Sequence, residues 1–383
     1  MEVCGERTAR SAKERLSGVE LLKILAMLII ITSHIVQTMS TGNGYIEQNF
    51  DVLDLNAASS NIQYLALSVM RMGGGSIIFF VCSAWFLLDS KRVMADKVFR
   101  ILTEVWFVSV AILIIVYAVR NGSIAPKLIK HSFFPTFYNN NWYVTCYILF
   151  YLMHTQLNKV IYSLSQPALL KSTLLLAFLY IFVNYIDAEH FFTSSLMLWV
   201  AIYFCVAYIK LYMPRVTASR RAGIAFVLVG YGGHCAIIAL TNYLGLHIPS
   251  LSSKVLHWSS LCSPFLILAA IGLCIIAVSM KFKSRTVNTI SGLSLLIYII
   301  HENPLMGTYV RPYIIGIIYE KVGYTHVVLW VLALAAATFI CTAAVSMLYK
   351  VCLQKFVYKI SDKIYSLLRG IYGRIEPFLL QIK

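Results

Sequence analysis

The chain has 383 residues, of which 59% are apolar and only 13% charged, with a mean hydropathy of +0.76. Soluble domains run near half apolar and about a quarter charged, so this composition excludes an ordinary soluble enzyme and indicates an integral membrane protein. A net charge of +16 would fit nucleic-acid binding only if it lined one surface, which its distribution along the chain argues against.

In chain order, a basic arm (residues 1–17, with Arg7, Arg10, Lys13 and Arg15) precedes an apolar run that continues from Leu21 to about Met39. That run lacks a small-x-small cleavage site, which predicts an uncleaved span rather than a signal peptide. About 20 apolar residues cross a bilayer as helix. Ten segments meet that measure: 19–39, 64–88, 98–119, 142–162, 171–187, 191–213, 222–244, 258–280, 288–306 and 325–349. Lys and Arg collect on the arm and on alternate loops: Lys91, Arg92, Lys97 and Arg100; Lys159 and Lys171; Lys210, Arg215, Arg220 and Arg221; Lys281, Lys283 and Arg285. The opposite loops hold only Arg120, Lys127, Lys130, Lys254, Arg311 and Lys321. By the positive-inside rule this predicts an all-α polytopic membrane protein of about ten helices, occupying 18–349, with both termini cytoplasmic. The positive charge is an orientation signal, and no nucleic-acid partner is expected. The tail, 350–383, mixes apolar and basic residues ("VYKISDKIYSLLRGIYGR") and predicts an amphipathic helix along the anionic inner leaflet.

Nine cysteines are present, most of them inside apolar runs, as are Cys82, Cys146, Cys205, Cys274 and Cys341. No CxxC pair, no Cys/His cluster of metal-ligand spacing and no Gly-rich phosphate loop occurs, so neither a disulfide nor a metal site is expected.

Ionisable groups within spans are costly and mark candidate sites. In "GVELLKILAMLIIITSH", Lys23 and His34 are three helical turns apart and share a face, with Glu20 one turn before Lys23. Glu20 and Lys23 also fit a pair at the inner interface, with the lysine snorkelling; His34 lies too deep for that. Arg71, in the second span, precedes Gly73–Gly75, which permit close backbone approach or a local helix break. Its guanidinium would suit a phosphate or carboxylate, or reach outward as an interfacial charge. "NNNWYV", Asn139 to Val144, opens the fourth span, where Trp142 and Tyr143 suit an interfacial anchor and also stacking on a sugar. In "SGLSLLIYIIHENP", Ser294, Tyr298 and His301 share one helical face. His301 reaches a depth similar to His34, as a shared outward-opening polar cavity would require.

In order and spacing, "RLSGVELLKILAMLIIITSH", "IIFFVCSAWFLL", "NWYVTCYILFYL" and "SGLSLLIYIIH" resemble the acyltransferase family 3 membrane proteins, over Arg15 to about Pro304. The resemblance implies about ten spans and transfer of an acyl group, commonly acetyl from acetyl-CoA, to sugar hydroxyls of surface glycans. It implies His34 as the catalytic base, with Glu20 assisting and Lys23 on the donor. It also marks Tyr298 and His301 of a Tyr-x-x-His motif and Ser83 of a Phe-Phe-x-x-Ser block. With Arg71 and Trp142, these last three are expected to serve the acceptor or the oxyanion. Lys23 stands where the family usually has Arg, and Ala84–Trp85 where it has Gly-Phe. No bound cofactor is expected. Acyl-CoA is the implied donor substrate, a glycan or lipid-linked glycan the acceptor, and a bacterial inner or plasma membrane the location. Transfer could be direct or through an acyl-His34 intermediate. The rival reading is a secondary transporter or flippase of a saccharide or lipid-linked precursor. Against it stands the lack of repeated halves or paired broken helices in the sequence.

Overall fold

In a computed structural model the chain is described at residues 16–39, 58–138, 140–187, 194–252 and 254–381. The arm cations Arg7, Arg10, Lys13 and Arg15, Asn139, and the first residues of the predicted sixth span lie outside these. The described residues form helices joined by short turns, with no strand among them. The α-helices longer than one turn are α1 Ser17–Gln37, α2 Ala58–Met70, α3 Gly75–Leu87, α4 Ala95–Val119, α5 Pro126–Phe133, α6 Trp142–Ser163 and α7 Gln166–Ala177. They continue with α8 Ser195–Tyr212, α9 Arg220–Gly245, α10 Pro264–Ser279, α11 Arg285–Ser291, α12 Ser294–His301, α13 Arg311–Val322, α14 Val327–Cys352 and α15 Gln354–Gln381.

Each of the ten predicted segments contains helix, and seven helical stretches are long and apolar enough to cross a bilayer: α1, α2 with α3, α4, α7 with its continuation to Ile186, α8, α9 and α14. Helix α6 is long but carries His154, Gln156, Asn158 and Lys159, and α10 is only 16 residues. Two of the segments are broken, the second as its glycines allow and the ninth where one continuous span is expected. The second bends at Gly74, which takes φ +81°, a left-handed conformation that a Cβ would strain. The ninth is interrupted at Gly292–Leu293, between α11 and α12.

Helix α1 is the hub. It packs against α3, α10, α11, α12 and α14, and it is far more buried than α9 or α14. The outer helices instead expose apolar residues such as Leu228, Leu240, Leu329 and Ile340, as lipid contact requires. Close approach of α3 to α1 depends on Gly75: a Cβ there would meet Ala26 O at 2.5 Å and Ile30 Cγ1 at 2.8 Å. Helix α11 is fastened to the start of α1 by Ser17, whose hydroxyl donates to Asn288 Oδ1 (3.0 Å) and accepts from Ser284 N (2.9 Å).

The tail is helical, as predicted, and its first half lies along α4. Arg100 forms a two-pronged pair with Asp362 (2.9 and 3.1 Å), Gln354 donates to the buried Glu104 (3.0 Å), and the Arg100 guanidinium covers the Tyr358 ring. Phe356, Ile360, Ile364, Leu367 and Ile371 remain as an exposed apolar stripe.

Candidate active site

Regular helix from Ser17 to Gln37 carries Lys23, Met27, Ile30, Ser33, His34 and Gln37 along one side of α1. Two cavities open on that side. The larger, about 260 Å³, lies toward the N-terminal end of α1 and is lined by Lys23, Met27, Ile30, Phe79, Ser83, Tyr143, Tyr147, Ser291 and Tyr298, among others. The smaller, about 160 Å³, is lined by Ile30, Ser33, His34, Gln37, Ser76, Trp142 and Tyr298, among others. Ile30 and Tyr298 line both, so the cavities are adjacent at these two residues. Lys23 and His34 are separated by about 16 Å along the helix axis, one in each cavity.

Breaks in the fold shape both cavities. Ser291 and Gly292, at the α11–α12 interruption, wall the larger one. Met72, Gly75 and Ser76, at the α2–α3 bend, wall the smaller.

His34 is held from behind. Its Nδ1 lies 2.7 Å from Glu302 Oε2 and 3.2 Å from His301 Nε2. His301 Nδ1 lies 2.7 Å from the Ile297 carbonyl, which can only accept, so that nitrogen carries a proton; the Glu302 carboxylate beside His34 Nδ1 likewise accepts. His34 Nδ1–H must therefore be the donor, chiefly to the Glu302 carboxylate. Nε2 is left as the lone-pair nitrogen of a ring that lines the smaller cavity. This is the arrangement of a base oriented by an acid.

Arg311 completes the constellation. Its guanidinium donates to Glu302 Oε2 (3.0 Å), to the His301 carbonyl (2.6 Å), to Thr38 Oγ1 (3.0 Å) and to the His34 carbonyl (3.5 Å). It thus places positive charge at the C-terminal ends of both α1 and α12, where the helix dipoles favour it. Asn303 and Pro304 end α12, a π turn over Met306–Val310 follows, and the chain turns back so that Arg311 faces the helix it has left. His34, His301 and Glu302 bring ligand-type atoms within 4.8 Å of one another. Arg311 donates to Oε2 of that carboxylate and so supplies positive charge to the cluster.

The other predicted residues are distributed as follows. Glu20 accepts from Ser291 Oγ (2.5 Å) and pairs with Lys23 Nζ (3.3 Å), so it holds the lysine and the α11–α12 break rather than lining a cavity. Ser83 lines the larger cavity but gives its proton to Phe79 O (3.1 Å). Trp142 lines the smaller cavity. Arg71 lines neither; it reaches the Leu256 carbonyl (3.4 Å), while its own carbonyl accepts from Gln37 Nε2 (2.9 Å). Glu302 and Arg311 were not singled out from sequence. For Glu302 the signal was an acid directly after His301 inside an apolar segment.

Apolar helices thus surround a partly buried imidazole–carboxylate pair whose imidazole lines the smaller of two adjacent cavities, an arrangement capable of acid–base chemistry. The family model described as an acyltransferase domain matches residues 16–347. The chain belongs to acyltransferase family 3. Comparison with curated proteins and with solved structures finds no match.

Proposed function

We propose that this membrane acyltransferase moves an acyl group, acetyl foremost, from an acyl-CoA in the Lys23 cavity to a hydroxyl of a cell-surface glycan in the His34 cavity. The observation that carries this reading is that Ile30 and Tyr298 line both cavities, Ile30 lying one turn of α1 before an imidazole whose Nδ1 is already committed to Glu302. The basic loops and the charge ledger support a Lys23 cavity facing the cytoplasm, where acyl-CoA is found, in a bacterial inner membrane with both termini inside.

In this mechanism His34 Nε2 takes the proton of the acceptor hydroxyl as its oxygen attacks the thioester carbon. Glu302 stabilises the imidazolium that forms. The tetrahedral intermediate collapses with cleavage of the carbon–sulfur bond, and the imidazolium returns the proton to the departing thiolate. The adjacency of the two cavities favours direct transfer over an acyl-His34 intermediate, with the acyl end of the donor passing Ile30 and Tyr298 to reach the His34 nitrogen. Lys23 offers its ammonium, steadied by Glu20, to a phosphate or carbonyl of the donor. Lys23→Met should raise KM for acyl-CoA roughly 10- to 100-fold with kcat much less affected, the scale of one lost charged hydrogen bond; initial rates over a range of acyl-CoA concentrations check this.

The interrupted helices beside these cavities are a feature that transporters also use around their substrates. One assay separates the two functions. Membranes containing the protein are given acetyl-labelled acetyl-CoA and a surface-polysaccharide extract. Acyl transfer leaves base-labile label on the glycan, whereas transport moves the glycan unlabelled.

A further inference from the structure

Two buried hydroxyls at the larger cavity have no acceptor for their protons. Tyr143 is 9% exposed and Tyr298 is 4% exposed, and neither O–H finds an acceptor among the described residues; the Tyr298 oxygen lies beside the Tyr143 backbone N–H, which can only donate to it. Folded proteins rarely leave buried hydroxyls so, and each exception asks for a ligand or a catalytic reason. Both residues line the Lys23 cavity, and Tyr298 also lines the His34 cavity. Their ring centroids are 5.7 Å apart. Neither ring is free to swing away. Tyr143 is packed edge-on against Phe79 and Trp199, with centroids at 6.0 and 5.0 Å, and Tyr298 is edge-on to His301 at 5.8 Å.

Two other donors of the lining are committed or remote. Ser83 Oγ donates within its own helix. Lys23 is seven residues from Ile30 at the junction, about 10 Å along α1, and pairs with Glu20.

We propose that Tyr143 and Tyr298 are paired hydrogen-bond donors to the carbonyl oxygen of the acyl thioester, a two-phenol oxyanion hole. This rests on the acyl-transfer reading and adds Tyr143 to the catalytic residues. As the acceptor oxygen bonds to the acyl carbon and its proton passes to His34 Nε2, the carbonyl π pair moves onto oxygen. The two phenols meet that developing charge with preorganised O–H dipoles in a site away from water. Re-formation of the carbonyl expels the thiolate, which takes the proton back from His34. The phenols keep their protons throughout.

The test replaces each tyrosine separately with phenylalanine and follows acetyl transfer, binding of unreactive CoA, and thermal unfolding. Each variant should lose about 100-fold in kcat, the usual cost of one oxyanion donor, with CoA binding unchanged. The unfolding temperature should change little, since neither phenol proton has an acceptor in the folded protein. A Tyr143→Phe enzyme that turns over at the wild-type rate overturns the proposal. So does a loss of activity that merely tracks lost stability or lost CoA binding. A wild-type protein unable to transfer from any acyl-CoA overturns the acyl-transfer reading itself, and this proposal with it.

Discussion

His34→Gln should lower acyl transfer by on the order of 10²–10⁴-fold, the range that a positioned general base contributes, while the protein still inserts and folds. The imidazole offers the only lone-pair nitrogen in the described lining of the smaller cavity. Glutamine fills similar space without a nitrogen base. The fold should tolerate the change because Glu302 keeps Arg311 at 3.0 Å, and the packing of α1 on α3 through Gly75 is untouched. Initial transfer rates, set beside membrane yield and elution as a single species from a sizing column, check both halves. A variant that folds and transfers at the wild-type rate removes His34 from the chemistry.

Glu302→Gln should cost on the order of 10²-fold in kcat, by a different route. Glutamine can still accept the His34 Nδ1–H through its amide oxygen, so the ring keeps its tautomer and its place. What disappears is the negative charge between two positive groups. The Arg311 guanidinium and the imidazolium formed during transfer would then face each other across a neutral amide. Removing one member of a largely buried ion pair leaves the other charge uncompensated, so the unfolding temperature should drop as well. Glu302→Asp, which retains the charge, should recover part of the rate. The pattern to be measured is kcat lowered and KM for acyl-CoA little changed, since Glu302 lines neither cavity. Unaltered kcat in Glu302→Gln would show that the carboxylate only pins the loop.

The geometry of the first span was legible because α1 is regular from Ser17 to Gln37. An eleven-residue spacing on an unbroken helix has one meaning, and it put Lys23 and His34 on one side. Equal depth for His34 and His301, read from opposite ends of the span inventory, ends in a 3.2 Å contact between ring nitrogens. The glycines after Arg71 signalled a bend in advance, since Gly74 takes a conformation that other residues avoid. Glu302 escaped notice because it follows the last residue of α12, where helical periodicity stops telling which way a side chain points. Arg311 was counted as an outer-loop charge. A ledger of Lys and Arg cannot see a chain that turns at Pro304 and brings a guanidinium back onto the helix it has left. The tail's pairing with α4 was hidden for a related reason. Arg100 and Asp362 are 262 residues apart, and the amphipathic pattern of the tail is the same whether it meets lipid or another helix.

The central claim is that donor and acceptor enter separate cavities and react where these meet. Its most direct test is sidedness. Protein is reconstituted in vesicles with acetyl-labelled acetyl-CoA supplied on one side only and a surface-glycan fragment trapped on the other. Wild-type protein should place base-labile label on the glycan across the bilayer, and His34→Gln should place none. Label that appears only when acetyl-CoA and glycan share a compartment would contradict the two-cavity account.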